Sequence, residues 1–128
     1  MTPERHLAKA ERALDSAWLL LGDGDIEGAC NRGYYAMFDA AHAALMLSGA
    51  VAGPTETRTH SGLIGAFGKH LVKTGRIPTH LGRILNQVER MRLLADYTGE
   101  DIERERARWV VEQAASFVGA IKKAFIPG

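Results

Sequence analysis

Residues 31–42 read N-R-G-Y-Y-A-M-F-D-A-A-H, in the middle of a helical pattern that runs from about Ile26 to Leu47. Ala29, Arg32, Gly33, Ala36, Ala40, Ala43, Ala44 and Leu47 fall on one stripe at helical spacing. All but Arg32 and Leu47 are small, so another backbone can come close. Tyr34, Met37, Phe38, Ala41 and Leu45 lie opposite and supply bulk. A helix that is apolar on two sides belongs in the middle of a bundle or at an oligomer seam. Between the two sides run Arg32, Tyr35, Asp39 and His42, at i, i+3, i+7 and i+10. That spacing lets Asp39 reach Tyr35 and His42. Polar groups beside buried surface need partners, so this line is either a structural network or the wall of a site.

Outward from this segment the chain stays helical. Thr2 and Pro3 form a favoured helix start, and Leu7, Ala10, Leu14, Ala17, Trp18 and Leu21 recur at helical spacing. Gly22 and Gly24 mark a stop, and Asp25 caps the second helix. The stretch from Ala50 to Thr59, with Gly53 and Pro54, reads as a loop. A third helix is expected from Thr59 or His60 to Lys73, weakened by Gly62, Gly65 and Gly68. The fourth opens at Pro78–Thr79 and breaks at Asp96-Tyr97-Thr98-Gly99. The fifth runs from about Asp101 to Phe125 with Ile102, Trp109, Val110, Ala114, Phe117, Val118 and Ile121 inward. No strand pattern competes. The expectation is an all-α antiparallel four- or five-helix bundle, residues 1–128 forming one domain. One bundle of this size is not expected to cover helix two on every side. A symmetric dimer follows, with helix two or the third helix at the seam.

A net charge of +1 gives no global pull toward nucleic acid or membrane. The single cysteine, Cys30, excludes an intrachain disulfide and a cysteine-rich metal site. The N-terminus has no signal-peptide core, and no apolar run is long enough to span a bilayer, so a cytoplasmic location is expected. His60, His70 and His80 are not at zinc-ligand spacing, so neither metal nor cofactor is expected. Gly62, Gly65 and Gly68 are not a phosphate loop, because no strand precedes them and no Lys-Ser/Thr follows. Lys69, His70, Lys73, Arg76 and Arg83 are a candidate basic patch at one end of the bundle.

The run N-R-G-Y-Y-A-M-F-D-A-A-H-A-A-L resembles the second-helix signature of the HEPN domains, helical bundles associated with nucleotides and RNA. It most resembles the small stand-alone prokaryotic type. Thr59-His60-Ser61-Gly62-Leu63 is similar to the family's third element, and Arg92 to Tyr97, R-L-L-A-D-Y, to the end of its fourth helix. The resemblance covers essentially the whole chain. It implies a homodimeric bundle and pairing with a small nucleotidyltransferase, often as a toxin–antitoxin couple. Many members are metal-independent endoribonucleases. These carry an arginine, then four to six residues, then a histidine, often with a tyrosine two further on, and the two copies meet across the dimer.

Arg90-Met91-Arg92-Leu93-Leu94-Ala95-Asp96-Tyr97 aligns with that pattern, but alanine stands at the histidine position. Ala95 cannot move a proton, so the usual acid–base group is missing there. Arg76 with His80 and Arg58 with His60 do not restore the spacing. The leading expectation is a dimeric HEPN binding module without the standard ribonuclease chemistry. It would act with a nucleotidyltransferase partner, or bind RNA or nucleotide through Arg32, Tyr35, Asp39, Arg90, Arg92 and Tyr97. One alternative is a metal-independent endoribonuclease toxin with a rearranged site built on Arg90, Arg92 and Asp96. Another is a ligand-free dimerising adaptor.

Overall fold

The computed structural model describes residues 2–50 and 57–126. Most of the expected 50–59 loop therefore lies outside the described residues. Five α-helices follow one another: α1 Pro3–Asp23, α2 Ile26–Leu47, α3 His60–Phe67, α4 Thr79–Thr98 and α5 Arg104–Phe125. The chain is an all-α bundle, with no strand among the described residues. None of its described helices is long and apolar enough to cross a membrane.

The local chemistry of the helix ends is as the sequence requires. Thr2 accepts a hydrogen bond from the Arg5 N–H, with Pro3 in the first turn. Asp25 accepts from the Gly28 N–H, and Thr59 from the Gly62 N–H. Gly24 closes α1 with φ 90°, a left-handed conformation that favours glycine. Three boundaries differ from the sequence reading. The third helix changes to a π-helical turn over Gly68–Val72. Asp96, Tyr97 and Thr98 continue α4 instead of breaking it, and the stop is Gly99 at φ 67°. The fifth helix begins at Arg104, three residues late, and Ile102 packs on the core from the connection before it.

Helix α2 is the centre of the bundle and touches α1, α3, α4 and α5. Ala29, Gly33, Ala36, Ala40, Ala43 and Ala44 are all buried within the single chain. A Cβ added at Gly33 would lie 3.2 Å from Val110 Cγ1 and 3.8 Å from the Val110 carbonyl oxygen, so α5 approaches α2 closely here. Because the chain covers its own small-residue stripe, that stripe gives no reason to place helix two at a dimer seam. Trp18, expected inside, is 43% exposed, while Ala13 takes the inward position on α1. Lys122 pairs with Glu11 and ties α5 to α1.

The lower part of the Arg32–His42 line faces α1. His42 stacks on His6 with ring centroids 4.1 Å apart. Both imidazoles are held below the ordinary histidine range, first by burial, and His6 falls to about 4. For His6 the charge on His42, then on Lys9, adds to that effect; the N-terminal amine and Lys9 do the same for His42. Asp39 is 8% exposed, and no hydrogen bond joins it to Tyr35 or His42. Burial raises its carboxyl pKa, against the charges of Lys9 and Arg32.

Two outcomes follow for stability. Ala40→Leu overpacks the α2 core and is expected to cost about 1–3 kcal/mol in denaturant unfolding; an unchanged midpoint would place α2 wrongly. The histidine pair adds stability that is full above about pH 6.5 and is lost as pH falls toward 4, because the unfolded chain takes up the protons more readily. Asp39 acts in the opposite sense. His6→Phe should therefore flatten the acid side of the stability–pH curve, by about 2 kcal/mol at pH 5; a slope equal to wild type would refute the assignment.

Candidate functional site

Three segments far apart in sequence meet around the guanidinium of Arg92. Its Nη2 lies 3.3 Å from Nδ1 of His60, the first residue of α3. The same nitrogen lies 3.3 Å from Oε2 of Glu89, one turn back on α4, and Nη1 is 3.5 Å from Oδ2 of Asp96, one turn on. Below it, the Tyr34 ring of α2 sits 4.8 Å from the guanidinium carbon, in cation–π contact. An arginine only donates, so Nδ1 of His60 accepts and the ring proton resides on Nε2.

His60 is placed by the Thr59 cap, which fixes the first turn of α3. Its ring then fits into aromatic surface from α2, with centroids 4.6 Å from Phe38, 5.6 Å from Tyr34 and 5.8 Å from Tyr35. The imidazole is half-buried, as is the Arg92 side chain. The Tyr34 hydroxyl is buried. Burial, followed by the neighbouring Glu89 carboxylate, pushes its pKa up, so the phenol stays neutral.

The sequence candidates divide around this cluster. Arg92 and Asp96 are in it, but Asp96 is bound to the arginine instead of standing free beside it. Tyr35 borders it through His60, and Arg32 lies over Tyr35 at 5.9 Å from the ring centroid. Asp39 is on the α1 side of the same helix, near Lys9. Arg90 is exposed and shares none of these contacts. Tyr97 is 90% exposed, on the last turn of α4. Glu89 went unnoticed in the sequence, although its place three residues before Arg92 is the signal for a helix ion pair. His60 was visible as part of a motif, but its arginine partner is Arg92 of α4 and not nearby Arg58.

Hollows flank the cluster on two sides. Ala95 lines clefts of about 210 and 200 Å³ under the connection formed by Glu100, Asp101 and Ile102. On the other flank a groove of about 430 Å³ lies between α3, its π-helical extension and α4. Ser61, Gly65 and Gly68 line one bank, Asn86, Glu89 and Leu93 the other, with Lys69 and Lys73 at its edge. Of the other basic-patch candidates, Arg76 is engaged elsewhere: it donates to the Ser48 carbonyl and lies over the Phe125 ring.

The HEPN domain family model matches residues 3–124. A UPF0332 protein of Gloeobacter violaceus is 35% identical over 92% of this chain and 93% of its own length. A UPF0332 protein of Thermotoga maritima is 35% identical over 90% of this chain and 84% of its own. A Methanocaldococcus jannaschii protein named "Putative toxin MJ0605" is 34% identical over 90% of this chain and 82% of its own.

The contacts rank the two neighbouring arginines. Arg92→Gln strips Glu89 and His60 of a shared partner in a half-buried setting and is expected to cost about 1–3 kcal/mol. Arg90→Gln changes an exposed group and should stay within about 0.5 kcal/mol. Equal unfolding midpoints for the two variants would contradict the arrangement around Arg92.

Proposed function

The chain belongs to the HEPN family, and on that premise we propose that it is the HEPN component of a toxin–antitoxin pair. It acts in the cytoplasm as a homodimer, binds the phosphate of RNA or a nucleotide at the Arg92 cluster, and works with a nucleotidyltransferase partner. The toxin-named relative supports the pair. The observation that carries the binding site is the meeting of Tyr34, His60 and Arg92, from three different helices, within 3.3–5.6 Å of one another. Exposed Leu93, Leu94 and Tyr97 on α4 offer apolar surface for a second copy. The arginine–histidine pair spaced along a single helix is no part of this reading, because Ala95 occupies the histidine position.

A second reading has its own observation. The Arg92 guanidinium already meets Glu89, Asp96 and His60, so the cluster could serve only to lock α3 on α4. The protein would then be a ligand-free adaptor. Fluorescence anisotropy with a labelled single-stranded oligoribonucleotide, and calorimetry with ATP, separate the two. Binding that weakens steeply with salt and drops at least tenfold in Arg92→Gln is expected. No binding of either probe by a protein that sediments at twice the chain mass would favour the adaptor.

A further inference from the structure

Charge is divided unevenly along the chain. Residues 57–98, which hold α3, its π-helical extension and α4, carry seven lysines or arginines and two acids, within a chain of net charge +1. Both acids, Glu89 and Asp96, are already paired with Arg92. Lys69, Lys73, Arg83 and Arg90 are exposed and have no ion-pair partner among the described residues. Lys69 and Lys73 line the groove of about 430 Å³ between the two segments. Arg83 and Arg90 stand on the same helix stripe as Asn86 and Leu93, which form its other bank. We propose that this groove is a docking site for an acidic amphipathic helix of a partner protein. Arg92 is not among its lining residues, so the site goes beyond the RNA- and nucleotide-binding reading and does not need it.

Three features of the groove select a helix. Its middle is apolar and low. Buried Ile64 and exposed Leu93 supply the apolar lining, and Gly65 and Gly68, one turn apart, lower one bank. Neither glycine has a positive φ, and an added Cβ would meet nothing within 4 Å at either. Gly33 and Gly82 differ, since Val110 and Val72 stand against them. Gly65 and Gly68 thus weaken their own helix and relieve no crowding inside the chain, while leaving room for a second backbone. Gly22 and Gly119 are equally open, but each stands alone on its helix. The cations, secondly, are at the rim. Lys69 and Lys73 are one turn apart on one side, Arg83 and Arg90 two turns apart on the other. Carboxylates at i, i+4 and i+7 of an inserted helix repeat those intervals. Thirdly, no aromatic ring is among the lining residues, so the groove offers no platform on which the bases of a single strand would stack.

Electrostatics direct an acidic helix to this face. Glu89 also lines the groove, but it is mostly covered and held by Arg92, so the rim stays positive. Outside residues 57–98 the chain carries nine lysines or arginines against thirteen acids, and that remainder repels the same partner. The docked helix lies against Ser61, which follows His60, and against Glu89, which holds Arg92. It therefore closes one flank of the Arg92 cluster.

The test is a display selection on the full chain. The probe is a library of single helices with alanine and leucine on one face and glutamate, glutamine or lysine at random beside it. Glutamate should be enriched over lysine. The best peptide, followed by fluorescence anisotropy, should lose at least about tenfold in affinity when Lys69→Glu and Lys73→Glu are combined. Gly65→Leu separates docking from folding. It should raise the melting temperature, because leucine is the better helix former, and still lose at least about tenfold in peptide affinity. Lys123→Gln, an exposed cation at the end of α5, should leave the affinity unchanged. A selection that enriches no helix, or enriches without preference for glutamate, overturns the inference. So does a peptide that binds Gly65→Leu as well as wild type. A labelled single-stranded oligoribonucleotide whose binding is lost with the two lysines, when no helix is selected, overturns it in favour of nucleic acid.

Discussion

The close approach of α5 to α2 at Gly33 is the constraint from which the rest of the structure follows. A Cβ at that position would lie 3.2 Å from Val110 Cγ1, so any other residue would require the Val110 side chain to give by a few tenths of an ångström. Once α5 occupies one side of α2, and α1 covers the alanines further along, Tyr34 and Phe38 are left to face α3 and α4. Those rings are too large to be covered by a flat helix face. Instead, the first residue of α3 lays its imidazole on them, and α4 lays a guanidinium on Tyr34. The polar cluster is thus a by-product of where the bulk of α2 points.

Much of this was legible in the sequence, and the illegible parts have physical reasons. The alternation of small and bulky residues along Ile26 to Leu47 announced a central helix, and the caps at Thr2 and Asp25 fixed two starts. The end of α4 misled because Asp96, Tyr97 and Thr98 are all weak helix formers. Thr98, however, returns its hydroxyl to the Leu94 carbonyl, and Gly99 alone supplies the left-handed stop. Helix two also seemed too apolar for one chain to cover. Its small residues let neighbours come close enough to do so. Within the candidate site, Arg92 and Tyr35 were recognisable, while the His60–Arg92 contact was not. It joins residues thirty-two apart, and no periodicity carries information across a turn of unknown path.

Electrostatics limit what the cluster can do. Arg92 brings one positive charge, and Glu89 and Asp96 bring two negative ones, so a phosphate must compete with carboxylates already in place. The competition is uneven. The Asp96 contact is at 3.5 Å, and that side chain is 55% exposed, where an ion pair is worth well under 1 kcal/mol. Glu89 is mostly covered and cannot be displaced so easily. Asp96 is therefore the replaceable partner and Glu89 the permanent one. The nitrogen that Asp96 releases is Nη1, whereas Nη2 stays committed to Glu89 and His60. An incoming anion meets an arginine with one end fixed and one end free, which suits a single phosphoryl oxygen better than a bidentate grip.

The contact between His60 of α3 and Arg92 of α4 also ties the cluster to the docking of one helix on the other. Two groups on one helix keep their separation whatever the rest of the bundle does. His60 and Arg92 keep theirs only while α3 is docked on α4. Helix α3 has eight residues, includes Gly62 and Gly65, and passes directly into a π-helical turn, so little of its stability is intrinsic. Its place depends on Leu63, Ile64, Ala66 and Phe67 in the core and on Gly82, where a side chain would strike Val72. A partner that pressed on the α3–α4 groove would therefore alter the His60–Arg92 distance without touching either residue. In that arrangement the separation of His60 and Arg92 is a matter of packing at Gly82 against Val72, and the charged groups follow the helix that carries them.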